Sequence, residues 1–495
     1  MHLCPVVAAV TAQNSMGVTQ VAPVSAELLD AQLAALAADI PPAVIKTGLL
    51  GSVENVQLVA RWVDKLRACG PVALVVDPVF GATTGASFAG DEVLRAYREL
   101  LLPRASLLTP NESEALRLLG ADAGACAPSV PDLARQLRAA GPAAIAITGG
   151  DSTAVAGHSL DWVDTPHASG WLRLPRVDTP HTHGTGCTFA SSAAAAMALD
   201  FVEADALVLA KMAVTHALRH GRAVGQGAGP AIAREGFATQ ADLMPFMSWD
   251  EYLDFGDSAA TEAVGELGLY AIVETADRVA QVVNAGVKTV QLRMKTPAEP
   301  DEPWHAALRD AIARSIAACQ AAGALLIVND HWRMAHELGA RAVHLGQEDL
   351  LALGPEGRSE LARTGLQLGI SSHSLWELAR ARALSPAYAA CGPVWPTLTK
   401  AMPWRPQGLD NLAWWVHMAG MPVVAIGGIL EPAQLKQAAQ SGASGICVVR
   451  GIGSEPKQTI PAWQAALDQG RQAPPLAVPM FPHPSLVFAV PESRP

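Results

Sequence analysis

The 495-residue sequence is poor in positive charge: 35 Lys and Arg stand against 46 Asp and Glu, a formal net charge of −11 with a pI near 5.7. That balance argues against nucleic acid as a partner, because phosphate backbones are bound by clustered cations. Cysteine is scarce and scattered. The seven cysteines form no CxxC pair, which excludes a disulfide framework and a zinc ribbon and points to a reducing, cytoplasmic compartment. Long apolar runs are missing as well. The Ala-rich stretch 191–199 is too short to span a bilayer, so no membrane contact is expected. The opening MHLCPVVAAV lacks a basic leader and runs straight into Gln13 and Asn14, so it is not expected to work as a signal peptide.

What the chain does have is length and a strand-helix rhythm. At 495 residues it exceeds one ordinary core, and two domains are the default. The most informative stretch is Gln291-Leu292-Arg293-Met294-Lys295. It closes a strand-like run at 287–290, and in an extended chain its alternation sets Gln291, Arg293 and Lys295 on one side. Arg presents a planar fork of donors suited to phosphate, and Lys adds a mobile point charge. The plain alternative is a solvated strand end with stray charges. Its neighbours favour chemistry. Apolar runs at 269–273, 325–328, 342–345, 366–370, 388–392, 423–426 and 446–449 each lead into polar or glycine positions, among them Asn329-Asp330, Gln347, Asp349, Ser371, Thr397, Gly428 and Arg450. Eight strands with helices between them, and polar groups after the strands, predict a (β/α)8 TIM barrel with its site at the C-terminal strand ends.

In order, QLRMK, VNDHWRMA, VHLGQEDL, GISSH, PTLTK and AIGGI resemble thiamine phosphate synthase, over about residues 267–460 of a domain expected to run 267–472. That family joins 4-amino-2-methyl-5-hydroxymethylpyrimidine diphosphate to a thiazole phosphate and expels pyrophosphate. The resemblance implies that Gln291, Asn329 and Ser371 hold the pyrimidine diphosphate, and that Thr397, Thr399, Gly428, Val449 and Arg450 receive the thiazole phosphate. Asp330 and Asp349 are two carboxylates suited to Mg2+ shared with substrate phosphates. Arg293, Lys295 and Lys400 are the catalytic cations expected to offset charge on the departing diphosphate. At Arg450 the family often has a small hydroxyl residue.

Residues 1–232 carry a second α/β rhythm. Apolar runs at 72–76, 105–108 and 144–147 end in Asp77-Pro78, Thr109-Pro-Asn-Glu112 and Thr148-Gly-Gly-Asp151, as in a doubly wound parallel sheet with ligands beyond its carboxyl ends. His183-Gly184-Thr185-Gly186-Cys187 precedes a helix and suits an anion, although a lone Gly-rich turn is weak by itself. Together with TPNESE at 109–114, Asp77-Pro-Val79, Ala12-Gln-Asn14 and the closing Gly225-Gln-Gly-Ala-Gly-Pro230, it resembles the ribokinase-like hydroxymethylpyrimidine and phosphomethylpyrimidine kinases. The resemblance implies ATP as phosphoryl donor, with Asp77, Asn111, Glu114, Gly184, Thr185 and Gly186 around Mg–ATP. It also implies that Gln13 bonds the pyrimidine, with Leu49 and Val79 lining its pocket, and that Cys187 is the base. A thiol at a helix N-terminus is expected to have a lowered pKa; the alternative is a small buried hydrophobe. Thr148 stands where many relatives have lysine.

Those kinases begin with a βα unit bearing G-x-D-x-S-G-G-A-G-x-Q-A-D, and here Met1 falls after its expected end, so roughly 30 residues, a strand plus a helix, are expected to be absent. Residues 233–266 are expected as a linker packed through Phe246, Trp249, Tyr252 and Phe255 against one domain. The Pro-rich tail 473–495 is expected to be extended or disordered. Trp414 and Trp415 are expected in helix packing. The reading is a bifunctional enzyme of thiamine biosynthesis acting on small molecules, with a homo-oligomeric state left open. The rival is a synthase whose first half only folds, binds pyrimidine or mediates assembly. A thiazole tautomerase is disfavoured, because it has no use for the diphosphate and Mg2+ groups at Gln291, Arg293, Lys295, Asn329 and Asp330.

Overall fold

The structure, a computed structural model, describes residues 2–81, 90–120, 128–150, 155–253, 255, 265–397 and 403–486. The chain divides into compact units spanning Met1–Leu253 and Asp254–Ser485. No helix among the described residues is long and apolar enough to cross a membrane.

In the first unit, β1 (Ala9–Gln13) and β2 (Val18–Pro23) form an antiparallel ribbon of their own. Asn14 makes its turn by accepting the Met16 and Gly17 N–H groups on its side-chain oxygen, the local bonding that favours Asn in turns. The main sheet runs in the order β3 (Val44–Thr47), β4 (Ala73–Val76), β5 (Leu107–Leu108), β6 (Ile145–Gly149), β7 (His158–Asp164), β8 (Ser169–Pro175) and β9 (Phe246–Met247). Strands β3 to β6 are parallel and β7 to β9 antiparallel. Every residue of β4 is buried, as expected of a central parallel strand covered on both faces. Val56 and Val63 of the helix Val53–Arg67 and Leu133 and Leu137 of the helix Val130–Ala139 pack on it with Leu74, Leu108 and Ile145.

The stretch from residue 233, expected to pack against one domain, joins this unit. Phe246 and Met247 pair with Arg173 and Leu172, and the Ser248 hydroxyl accepts the Trp171 N–H at 2.8 Å. Gly170 permits this: a Cβ there would strike the Ser248 carbonyl. Trp249 and Phe255 are buried, whereas Tyr252 is exposed.

Strands β10 (Gly268–Val273), β11 (Thr289–Leu292), β12 (Leu325–Asn329), β13 (Ala342–Leu345), β14 (Gln367–Ser372), β15 (Tyr388–Cys391), β16 (Val423–Ala425) and β17 (Gly445–Val448) close into a parallel barrel, with β17 returning to β10. These are the eight expected strands, with helices between them. Trp414 and Trp415 are buried in the helix Gly408–Met418, in agreement with their expected packing role. The tail differs from the floppy segment that its composition suggests. His483 N–H donates to the Asn411 side chain, Asn411 returns a bond to the His483 carbonyl, and Arg405 N–H donates to the Ser485 carbonyl. Proline removes donors but leaves carbonyls; Gln440 Nε2 donates to the Pro474 carbonyl, and the His483 ring bonds through Nε2 to the Gln407 carbonyl.

One buried ion pair anchors the helix Glu203–Arg219 to the first sheet. Lys211 Nζ lies 2.8 Å from Asp161 and 2.9 Å from the Ser159 hydroxyl, while Asp161 also accepts the Gly149 N–H. Removing one partner of such a pair leaves a buried, uncompensated charge at a cost of about 3–5 kcal/mol. Lys211→Ala is therefore expected to destabilise the first unit by about that amount in urea unfolding, with Lys211→Met/Asp161→Leu recovering most of the loss. Equal stability of Lys211→Ala and wild type would show that the pair contributes nothing.

Candidate active sites

Parallel closure brings the carboxyl ends of β10 to β17 to one end of the barrel, and the expected synthase residues with them. Gln291 is buried on β11, and its Nε2 donates to the Tyr270 hydroxyl at 2.8 Å. Arg293 and the exposed Lys295 follow the strand; Arg293 N–H donates to the Val273 carbonyl, extending the ladder by one bond. Asn329 ends β12. Asp330 comes next at φ 64°, a left-handed conformation uncommon for a residue with a side chain;. Its N–H donates to the His344 carbonyl, and its neighbour His331 bonds through Nε2 to the Met294 carbonyl, so the ends of β11 and β12 are locked together.

Asp349 lies in the first turn of the helix Gln347–Ala352, with Oδ2 accepting the Gly346 N–H at 2.9 Å. The Asp330 carboxyl is held above its ordinary pKa, first by loss of solvent and then by the negative charge of Asp349; His331 and Arg293 act in the opposite sense. Two carboxylates in each other's field are a donor set for a hard cation. Among the described residues no group of three or more His, Cys, Asp or Glu side chains is arranged around a metal. A Mg2+ held by two carboxylates, substrate phosphates and water needs no third protein ligand.

Ser371 on β14 meets His344 Nε2 at 2.8 Å. Gly427 and Gly428 follow β16 with φ 94° and 74°; a Cβ on either would collide with Pro393 or Trp395. Only glycine fits that turn, and it brings backbone to the rim. Thr397 is at the rim after β15. Val449 and Arg450 are exposed after β17, while Thr399 and Lys400 lie outside the described residues. Sequence reasoning missed Tyr270, His344, Tyr388 and Gln347. Tyr270 and Tyr388 hydroxyls are 2.9 Å apart, and Tyr388 is 2.9 Å from His344 Nδ1. Gln347 donates to the Ser371 and Glu377 carbonyls, fixing the strand that carries Ser371. His344 and Gln347 both sit inside the VHLGQEDL motif, a signal that could have found them.

In the first unit Asp77 follows β4, buried, and takes a 2.8 Å ion pair from Lys46 on β3. Gly184, at φ 81°, caps the helix Thr185–Met197, whose first turn holds Gly186 and Cys187. The closing glycine run buttresses this turn: His183 N–H donates to the Gly229 carbonyl and Ala231 N–H to that of His183. The Cys187 thiol is pushed up to about 11, chiefly by desolvation and next by the charge of Asp77, against a smaller opposing effect of Lys46. This runs against the expected lowering: loss of solvent, with the buried carboxylate of Asp77 adding to it, raises the thiol despite its place at a helix N-terminus. Asn111 and Glu114 form a reciprocal capping box for the helix Glu112–Leu119. Desolvation leads in pushing Glu114 up to about 7, with Asp77 adding to it. Thr148 bonds to Pro110 and bridges to Asn111, beside the carboxyl ends of β5 and β6. Leu49 and Val79 are half-buried near Lys46 and Asp77 in sequence, whereas Gln13 is exposed on the separate ribbon. Lys46 was not singled out from sequence; it has no motif around it.

Asp77→Asn removes the charge that opposes ionisation of Cys187 and leaves Lys46 to favour the thiolate. Alkylation of Cys187 by iodoacetamide at pH 8, followed by peptide mass spectrometry, is expected to speed up about tenfold, the effect of roughly one pKa unit. A rate equal to wild type would remove Asp77 as a cause.

Comparison with known proteins agrees with this division. The phosphomethylpyrimidine kinase family model matches residues 1–232 and the thiamine monophosphate synthase model residues 269–452. A thiamine-phosphate synthase of Rhizobium etli is 46% identical over 201 residues, 40% of this chain and 93% of the relative. A hydroxymethylpyrimidine/phosphomethylpyrimidine kinase of Synechococcus elongatus is 39% identical over 230 residues, 46% of this chain and 85% of that one. The thiamine biosynthetic bifunctional enzyme TH1, chloroplastic, of Arabidopsis thaliana is 32% identical over 452 residues, covering 87% of this chain and 80% of its own. The chain therefore belongs to the bifunctional enzymes of thiamine biosynthesis, a ribokinase-like phosphomethylpyrimidine kinase joined to a TIM-barrel thiamine phosphate synthase.

Proposed function

We propose that the barrel couples 4-amino-2-methyl-5-hydroxymethylpyrimidine diphosphate with a thiazole phosphate, using substrate made by the first unit from the pyrimidine alcohol and ATP. The observation that carries the reading is the convergence on one rim of Gln291, Arg293, Asn329 and Ser371 with two carboxylates, Asp330 and Asp349, the second of which raises the proton affinity of the first. Gln291 and Ser371 hold the pyrimidine. Asn329, Arg293 and Lys295 meet its diphosphate, with Lys400 as a further cation. Thr397, Thr399, Gly428, Val449 and Arg450 receive the thiazole phosphate. Asp330 and Asp349 hold Mg2+, which when bound neutralises charge on the diphosphate. As the C–O bond to the diphosphate breaks, negative charge gathers on the leaving group, and the guanidinium of Arg293 offsets it.

In the kinase, Asp77, Asn111, Glu114 and the Gly184–Gly186 turn surround Mg–ATP, and Gln13, Leu49 and Val79 contact the pyrimidine. Cys187 takes the hydroxymethyl proton. Desolvation and the charge of Asp77 hold its thiol up at about 11 even with Lys46 already 2.8 Å from Asp77, so it serves as a base only as the thiolate, the form that added positive charge at this turn favours. A cytoplasmic location and self-association belong to the same reading.

Asp330→Asn is expected to leave the fold intact and to lower coupling about a hundredfold or more at ordinary Mg2+, with partial recovery at high Mg2+. Near-normal turnover would show that other groups hold the metal. Arg293→Ala separates chemistry from binding: kcat is expected to fall by a larger factor than KM for the diphosphate rises, since the interaction strengthens as the bond breaks. A pure KM effect would reduce Arg293 to an anchor for the bound substrate.

A further inference from the structure

Five polar side chains form one hydrogen-bonded line through the barrel interior. Gln291 Nε2 donates to Tyr270 Oη at 2.8 Å, Tyr270 and Tyr388 hydroxyls meet at 2.9 Å, Tyr388 meets His344 Nδ1 at 2.9 Å, and His344 Nε2 meets Ser371 Oγ at 2.8 Å. They come from β10, β11, β13, β14 and β15. All but Ser371 are buried, Tyr270 and Tyr388 to 1% exposure. The fold makes room for the line. A Cβ at Gly369 on β14 would overlap the Tyr388 ring, and His344 stacks on that ring at 5.6 Å with a 20° tilt.

Hydroxyls and neutral imidazoles each donate one hydrogen here and accept another, so a line of them has a direction. The Gln291 amide donates, so Tyr270 must donate to Tyr388, and Tyr388 to His344 Nδ1. His344 then carries its hydrogen on Nε2 and donates to Ser371. His344 is buried and meets only hydroxyls at its two ring nitrogens, with no carboxylate on the ring to hold a charge, so it has one hydrogen to place;. The consequence falls on the two ends. Gln291 keeps its carbonyl oxygen for a ligand and Ser371 keeps its hydroxyl hydrogen: one end accepts and the other donates. Reversing either end requires the amide to turn over, two hydroxyls to swing and the imidazole to shift its proton, all together.

We propose that this line is a specificity relay: Tyr270, Tyr388 and His344 are positioning residues that force Gln291 and Ser371 to offer one acceptor and one donor, the complement of the amino group and ring nitrogen of an aminopyrimidine. The proposal rests on the synthase reading given above and adds to it a reason for rejecting ligands whose edge carries two acceptors. For such a ligand, turning Gln291 to donate would turn Ser371 into an acceptor, so correcting one mismatch creates another. A polar site rejects a ligand most strongly when its buried groups are left unpaired.

The test compares the pyrimidine diphosphate with its 4-methoxy analogue, which presents acceptors at both positions. The full chain is assayed for condensation with thiazole phosphate, and the ratio of kcat/KM values, amino over methoxy, is the readout. In wild type the ratio is expected to be large. In Tyr388→Phe the relay is cut, Gln291 turns by itself, and the ratio is expected to fall about tenfold, the effect of one recovered hydrogen bond. Tyr270→Phe cuts the line one bond earlier and is expected to give the same fall, with the double variant adding nothing, because one break already frees the ends. It also keeps the test open if Tyr388→Phe does not fold. A merely structural lesion lowers both kcat/KM values by one factor and leaves the ratio unchanged; that result in an active variant overturns the relay alone. A wild type that forms no thiamine phosphate overturns the synthase reading and the relay with it.

Discussion

Closing eight parallel strands into a barrel satisfies every ladder and leaves no edge, and the synthase site depends on that closure. Because the strands run one way, the residues after each of them share a rim, whatever their separation in the chain. The same closure sets the problem that the interior must solve. Any polar side chain pointing inward has lost water and must be matched there, at a cost of about 1–3 kcal/mol for each group left unmatched. Tyr270, Gln291, His344, Ser371 and Tyr388 meet this demand by bonding to one another. Recognition groups at the rim are thereby tied to a supporting line inside, and Gly369 exists to let the Tyr388 ring occupy its place.

The first unit handles charge differently. Two of its buried carboxylates are paired with lysines: Asp77 with Lys46 and Asp161 with Lys211. The second pair also reaches the active end, since Asp161 accepts the Gly149 N–H at the close of β6. That bond links the packing of the helix Glu203–Arg219 to the loop after the strand. Cys187 shows the cost of lost solvent beside an acid. A helix N-terminus contributes roughly half a positive charge spread over its first turn; against it stand desolvation, the larger cause, and the full charge of Asp77.

Much of this was legible in the sequence, for a physical reason. Strands buried on both faces must be apolar throughout, so LLIV and VVA announce themselves as runs, and the polar residues that follow fall on the rim by construction. Asn329, Asp330, Ser371 and Gly428 were readable in this way. The interior line was not. Tyr388 in YAAC and His344 in AVHL look like core positions, and only the fold reveals that Tyr270 and Tyr388, 118 residues apart, share a hydrogen bond. The raised thiol of Cys187 was hidden likewise, because local sequence displays the helix and not the carboxylate on another strand. The stretch around Phe246 packs on one unit, as its aromatics indicated, but its partners and those of the tail were hidden for the opposite reason. Their composition is loop-like, and what orders them is distant backbone: Arg173 for Phe246, and the buried amides Asn411 and Gln407 for His483.

The two sites also differ in what they hold before substrate arrives. At the kinase turn Lys46 already balances Asp77, and on the proposed reading the helix N-terminus receives an anionic group of the nucleotide. At the barrel rim Asp330 and Asp349 repel each other beside Arg293, so neither the carboxylates nor the cations are at rest without a partner of opposite sign. A divalent cation alone would satisfy the acids and leave the bases exposed, and a diphosphate alone would do the reverse. Only the two together match the rim. On the proposed reading, selection for a metal–diphosphate complex follows from this charge arrangement, and the neutral relay is left to read the pyrimidine.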